Sequence, residues 1–410
     1  MGLVKLLCFL LMFFSLAQPA VLFPSTQSVR AFFFLSLITA GLFFVSKGPS
    51  GLKPIKIPQN KFIYGILVTY TLSTAQFMWL PGTIDTFLFW FKKILLYYLI
   101  INIIRELKDL KKIIWSVILA VTVLSLMGWN LYLNNPHLLH DAGRLQAMGN
   151  YNLSNSFALL LALTFPLAFT LMEIEKNFGK KFFLLFLQVF FIVSCVFTKS
   201  RGGTLGLLIG VMLCIIFSRR ILKAKAIKII ILIVLMVAFL GYGVAVILSR
   251  TDITDYAGHD SSAGDRLLAW RGGIQMVIDH PLFGVGWGLF NENIRSYGHN
   301  KKILAHNTPL SVLAETGILG FIFFVAILYY NFKQLLQMKR YWYSMEGRED
   351  FFILSQGIFI SLICFLINTS FSVKDHDPIY WAILSLSGVL CGFYIRDREV
   401  MGQTDTLIRV

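Results

Sequence analysis

Arg201, Arg266, His306 and Glu315 are the side chains of this chain best suited to chemistry, and together they fit the handling of a phosphoryl group beside a hydroxyl. Arg201 lies in Lys199-Ser200-Arg201-Gly202-Gly203, a very short turn between two apolar runs. Such a turn holds the guanidinium at the edge of the apolar zone, and the paired glycines let a ligand approach the backbone closely, as in an anion-binding nest. The plainer alternative is an arginine that anchors a helix end. Arg266 precedes Trp270 by four positions, so in a helix guanidinium and indole share a face, whereas Arg271 points elsewhere. Its competing reading is an ordinary pair with Asp265 on a solvated face. His306-Asn307-Thr308-Pro309 opens an apolar run. Pro309 suits the first helical turn and Thr308 the N-cap, which leaves His306 just outside a positive helix end. A neutral imidazole there can take a proton from a hydroxyl, although a lone interfacial histidine is more often simply hydrogen-bonded. Glu315 lies deeper in the run, just before Gly317. An ionisable group there is a functional candidate by default, its plainer role being to hold an arginine or histidine in place.

Other groups carry weaker signals. Lys92 and Lys93 fall inside an apolar run, either because its boundary lies elsewhere or because two ammonium groups face a cavity; the boundary reading is preferred. His137 and His140 lie near Asp141, but no further ligands join them, and Asp252, Asp255, Asp260 and Asp265 are scattered, so no metal site is expected. Cys8, Cys195, Cys214, Cys364 and Cys391 all lie within apolar runs, which argues against a disulfide framework.

The elements that must position these groups are membrane helices. Of 410 residues 57% are hydrophobic, and the mean hydropathy of +0.71 is far above that of a soluble domain. In lipid the backbone must satisfy its own hydrogen bonds, and long Leu-, Ile- and Phe-rich runs without period-2 alternation make helices the solution. Twelve spans are read, at about 3–24, 30–46, 61–79, 83–104, 112–133, 154–172, 181–198, 203–218, 226–249, 308–330, 351–371 and 379–395. The first follows Lys5 as a signal peptide would, but no small-x-small site follows it, so it is kept as a helix.

The net charge of +16 does not indicate nucleic acid. If both termini are cytoplasmic, the inner segments hold most of the Lys and Arg, and the short outer loops hold only Arg30, Arg144, Lys199, Arg201 and Lys374. That is the positive-inside pattern. Every histidine then falls on the outer side.

The chain thus divides into helices over 1–249, a long polar interruption over 250–307, and helices with a short tail over 308–410. Within the interruption, Leu267, Trp270, Ile274 and Val277 recur at helical spacing, which predicts an amphipathic helix over Ala263 to Asp279 on the outer surface, stopped by His280-Pro281. Two further outer segments are polar: Asn134 to Asn155, and Ser372 to Pro378 with Lys374, Asp375, His376 and Asp377. The largest loop is off-centre and the halves show no repeat, which weighs against a two-half transporter.

Ser200-Arg201-Gly202-Gly203, Arg266 with Trp270, Pro281-x-x-Gly284-x-Gly286, His306-Asn307-x-x-Leu310 and Glu315-x-Gly317 resemble, in order and spacing, the O-antigen ligase and polymerase superfamily. The resemblance covers about residues 140–320 in motifs and the rest by topology. It implies an all-α integral membrane protein of GT-C architecture, with about twelve transmembrane helices and a large, partly helical periplasmic loop. It implies a multi-pass protein of the bacterial inner membrane, with both termini cytoplasmic and the active site facing the periplasm. The implied activity is an O-antigen ligase: a glycan passes from undecaprenyl diphosphate to a hydroxyl of the lipid A core oligosaccharide, with inversion and without metal or other cofactor. On that resemblance, Arg201 and Arg266 bind the diphosphate, since their fork geometry matches phosphate oxygens. Lys199, Trp270, Asn307 and Glu315 join them in holding donor and glycan, and His306 orients or deprotonates the acceptor. Gly143-Arg144 resembles a looser form of the family's upstream Arg/Gly segment and adds Arg144. The alternatives are an O-antigen or exopolysaccharide polymerase, whose acceptor is another lipid-linked repeat, then a protein O-glycosyltransferase, and last a polysaccharide transporter.

Overall fold

The computed structural model describes residues 2–22, 31–47, 57–141, 143–222, 224–234, 241, 262–298 and 302–408. Among these, regular structure is helical throughout and no strand occurs, as an apolar chain without period-2 alternation requires. In chain order the helices are α1 (Gly2–Ala17), α2 (Pro19–Leu22), α3 (Ala31–Lys47), α4 (Asn60–Ala75), α5 (Leu80–Ile103), α6 (Leu107–Asn134) and α7 (Ser154–Ile174). Then follow α8 (Phe178–Phe197), α9 (Arg201–Phe217), α10 (Ser262–Asp279), α11 (Phe290–Asn293), α12 (Thr308–Tyr343), α13 (Glu349–Thr369) and α14 (Pro378–Ile408). Among the described residues 6 helices are long and apolar enough to cross a membrane: α6, α7, α8, α12, α13 and Pro378–Val400 of α14. Shorter apolar helices occupy Gly2–Ala17, Phe32–Ser46 and Arg201–Phe217. The expected span at 226–249 lies mostly outside the described residues, of which 225–234 are helical. Helix α12 runs to Tyr343 instead of ending near 330, because Lys333, Gln334, Gln337 and Lys339 are good helix formers that carry it beyond its apolar part.

Helix α7 is the axis of the bundle. All its residues except Asn155 are buried, and α6, α8, α9 and α13 pack around it. Helix α9 packs tightly on both α7 and α13: a Cβ at Gly203 would stand 2.2 Å from the Ala158 side chain of α7, and one at Gly206 2.1 Å from Asn368 Nδ2 of α13. Small residues at helix interfaces let backbones meet where lipid supplies no hydrophobic drive. Outer helices show the opposite surface. Phe182, Phe186, Val189 and Val193 of α8 are exposed at helical spacing, a face suited to acyl chains.

The charge pattern sorts the two ends of the bundle. At one end Lys5 pairs with Glu106 and Asp109, Lys111 with Asp350, Arg220 with Glu349 and Asp350, and Arg348 with Asp397. All of these come from segments read as inner. At the other end Gln76 reaches the Gly284 carbonyl, Arg144 the Thr198 carbonyl, Tyr151 the Asp377 carboxylate and Thr308 the Ser372 carbonyl. These come from segments read as outer, so the chain alternates between the ends as the loop charges require.

Candidate functional site

A break in α12 builds the floor of the site. Gly317 has φ 64° and ψ −170°, a conformation close to glycine-only, and it interrupts the helix. The break frees main-chain groups, and the glycine turn after Pro281 takes them up. Val285 N donates to the Ala314 carbonyl at 2.9 Å, Gly286 N to the Glu315 carbonyl at 3.0 Å, and Ile318 N to the Pro281 carbonyl at 2.9 Å. The Glu315 side chain completes the splice: its carboxylate accepts from Gly288 N at 3.0 Å and Phe290 N at 3.3 Å. Glu315 therefore staples the loop instead of holding an arginine or histidine, the role expected from its depth alone.

Above this floor lies α10, which ends at Asp279 before His280-Pro281 as predicted. Its inward face is small: Ala269 and Met276 pack on Val285, Phe290, Ile294 and Ala314, with Gly273 against Phe290 and Leu310. Leu267, Ile274 and Ile278 are exposed, as an interfacial helix presents to lipid. Val277 packs on the inward cluster and Trp270 is half-buried, so the apolar stripe seen in the sequence is split between the two faces. Trp270 anchors α10 by donating from Nε1 to the Ala305 carbonyl at 2.9 Å. That bond brings Arg266, one turn earlier on the same face, toward His306. Burial and then the Arg266 charge hold His306 below its ordinary pKa, which keeps the imidazole neutral. His306 itself has φ 49°, in the left-handed region.

The N-cap of α12 is Asn307, one residue before the expected Thr308: its Oδ1 accepts from Leu310 N at 2.9 Å. Both residues suit a cap, and Thr308 is used elsewhere. Its hydroxyl donates to the Ser372 carbonyl at 2.6 Å and accepts from Lys374 N at 2.9 Å, tying α12 to the α13–α14 loop.

Between these elements is a cavity of about 490 Å³. Its chemistry-bearing walls are Lys93, Ser156, His306, Glu315, Lys374 and His376. It shares Phe89, Lys93, Asn150 and Pro378 with an adjoining groove of about 560 Å³, whose other walls include Phe14, Phe32, Phe33, Leu88 and Leu96. Lys93 thus faces a cavity from the middle of α5, which overturns the preferred boundary reading of Lys92 and Lys93.

The sequence-predicted residues divide into three positions. His306 and Glu315 line the cavity; Asn307, Arg266 and Trp270 stand outside its lining, Trp270 bonded to the Ala305 carbonyl of its wall and Arg266 acting on His306. Arg144 lies behind another wall: Nε donates to the Thr198 carbonyl at 2.9 Å, and one terminal nitrogen to Asn155 Oδ1 at 3.1 Å. Asp141, its neighbour at 3.9 Å, accepts from both the main chain and the hydroxyl of Ser154 and so caps α7. Lys199 and Arg201 are exposed on the α8–α9 turn, outside the cavity wall. Arg201 is the first residue of α9, capped by Ser200, and Gly202 meets Phe371 while Gly203 meets Ala158. The two glycines therefore serve close packing within a helix and do not form the expected loop nest. Arg201 has no carboxylate partner among the described residues. No group of three His, Cys, Asp or Glu side chains converges as metal ligands among the described residues.

Sequence reasoning gave no role to Lys374, Asp375 or His376. The signal was present in the polar Ser372 to Pro378 segment, but nothing in its spacing says which cavity it would meet.

The geometry now has a counterpart among known families: residues 186–325 match the O-antigen ligase family. That segment is similar to the O-antigen ligase family. The matched segment runs from α8 through the break in α12 and contains Arg201, Arg266, His306, Glu315 and Gly317. No curated protein matches the chain.

Proposed function

We propose that this chain is a glycosyltransferase of the O-antigen ligase type, moving a glycan from undecaprenyl diphosphate to a hydroxyl of the lipid A core at the outer face of the inner membrane. One observation carries the reading. The Arg266 guanidinium acts on a neutral His306, and His306 lines a cavity that adjoins an apolar groove. A lipid-linked diphosphate has this shape: a prenyl chain for the groove, an anion for guanidinium and ammonium groups, and a sugar for the cavity.

In this mechanism Arg266 binds the diphosphate and stabilises the charge that gathers on it as the glycosidic bond breaks, with Arg201 and Lys199 drawing the anion to that end of the bundle. His306 orients the acceptor. A charge-assisted hydrogen bond is worth about 1.5–3 kcal/mol, so loss of one guanidinium lowers transfer by roughly 10- to 100-fold or more.

A strain lacking the gene is complemented with wild type, Arg201→Ala, Arg266→Ala or His306→Ala, and its lipopolysaccharide is separated by size. The wild type should restore the polymer ladder, and the variants should strand polymer on the lipid carrier at unchanged protein level. Normal ladders from all three variants would refute the reading. Single repeats on the core in the deletion strain would transfer the assignment to the polymerase reading.

A further inference from the structure

We infer that Asp375 and His376 form the proton-accepting pair of the transfer, with His376 as the base and Asp375 as the residue that positions it. The inference rests on the glycosyltransferase reading above and assigns its acid–base step.

The pair lies in the α13–α14 loop, and that loop is fixed from every side. Thr308 holds Ser372, Lys374 Nζ donates to Ser156 Oγ at 2.6 Å, and Tyr151 donates to Asp377 Oδ1 at 2.8 Å. Asp377 accepts from Ile379 N at the start of α14, and Trp381 Nε1 donates to the Asp375 carbonyl at 3.1 Å. A loop so restrained holds its side chains ready for a ligand.

His376 Nδ1 lies 3.1 Å from Asp375 Oδ1. In the inferred pair the carboxylate accepts from Nδ1, which leaves the Nε2 lone pair for the acceptor hydroxyl. The imidazole is 41% exposed and lines the cavity, with Phe89 and Trp287 edge-on to it at 6.2 Å and fixing its plane. Asp375 is 4% exposed, and its Oδ2 has no hydrogen-bond partner among the described residues. A buried carboxylate with a spare oxygen is costly unless a cation forms beside it. Lys93 acts on Asp375 from α5, and protonation of His376 adds a cation in direct contact with the carboxylate. The other charges around the pair are Lys93 from α5, Glu315 from α12, and Lys374 and Asp377 from its own loop. Lys374 is taken by Asp377 at 3.6 Å and by Ser156, and Glu315 by the main chain of the glycine turn. Asp375 is thus the partner in direct contact with His376.

His306 stands in the opposite field. A proton placed there builds an imidazolium against the Arg266 guanidinium, whereas a proton on His376 meets a carboxylate. His306 is accordingly a neutral orienting group. In the reaction the acceptor oxygen bonds to the anomeric carbon as the bond from that carbon to the diphosphate oxygen breaks. The electron pair leaves with the diphosphate, and the hydroxyl proton passes to His376 Nε2. It returns to water or to the released diphosphate, which resets the site.

The test is transfer by purified full-length protein in detergent, from a polyprenyl-diphosphate glycan to a defined acceptor, with kcat and KM measured separately. His376→Gln should lower kcat by about 10²–10⁴ with donor KM unchanged. Asp375→Asn should lower kcat by about 10-fold or more, again without moving KM. His376→Ala should regain activity with added imidazole, and His306→Ala should not. Unchanged KM and gel-filtration profile show that the variants are folded. Wild-type kcat in His376→Gln, or rescue of His306→Ala in place of His376→Ala, overturns the inference and leaves the proposed function standing. Absence of transfer by the wild type itself removes the proposed function instead.

Discussion

Replacing Gly317 by Ala tests whether the helix break is what holds the glycine turn in place. At φ 64° and ψ −170° an added side chain costs about 1–3 kcal/mol in backbone strain alone. The new Cβ would lie 2.3 Å from the Leu282 carbonyl carbon and oxygen and 2.6 Å from Phe283 N. These are main-chain atoms, so relief requires the turn itself to move. Moving it breaks the bonds of Val285 N, Gly286 N and Ile318 N, each worth about 0.5–1.5 kcal/mol net. The sum is roughly 3–7 kcal/mol, enough to undock a local segment while the bundle stays folded. Hydrogen exchange read by mass spectrometry should show the Val285, Gly286 and Ile318 amides deprotected in Gly317→Ala, and transfer should fall with helical content preserved. Gly288→Ala is the control: its φ is 76° but nothing lies within 4 Å of an added Cβ, so only about 1–2 kcal/mol of strain is expected. Equal damage from the two substitutions, or native exchange in Gly317→Ala, would show that the splice does not organise this end of the protein.

Stability should respond to His306 only in acid. Its folded pKa is depressed, so as pH falls below about 6.5 the unfolded chain binds the proton first and the native state is progressively penalised; above that pH both states are neutral and the residue contributes nothing to the pH slope. Thermal unfolding at pH 7.5 and pH 5.5 should show a smaller acid loss for His306→Asn than for the wild type, and parallel losses would contradict the depressed pKa. In α9, Gly203→Ala should lower stability by about 1–3 kcal/mol through overpacking on Ala158, and Ala158→Gly should recover much of it in the double variant. Additive losses would mean that the two helices do not meet there.

The sequence alone determined the helices, the alternation of basic and neutral loops, the stop of α10 at His280-Pro281, and the place of His306 just ahead of α12. Each of these is a property of one segment: its transfer free energy between lipid and water, its periodicity, or the backbone limits of a proline. Tertiary structure decided the rest. Both Asn307 and Thr308 are competent caps, and only the approach of Ser372 and Lys374 decides that the Thr308 hydroxyl is used elsewhere. Gly202 and Gly203 suit an anion nest and a helix interface equally well until Phe371 and Ala158 are found against them. Lys93 in an apolar run reads as a boundary error until α14 and the α13–α14 loop enclose a cavity beside it. Asp375 and His376 are only two polar letters in a short loop until the bundle closes that loop over Phe89, Trp287 and Glu315. Such contacts join residues far apart in the chain, and their energy depends on which surfaces the packing brings within a few ångströms, a quantity that no local pattern encodes.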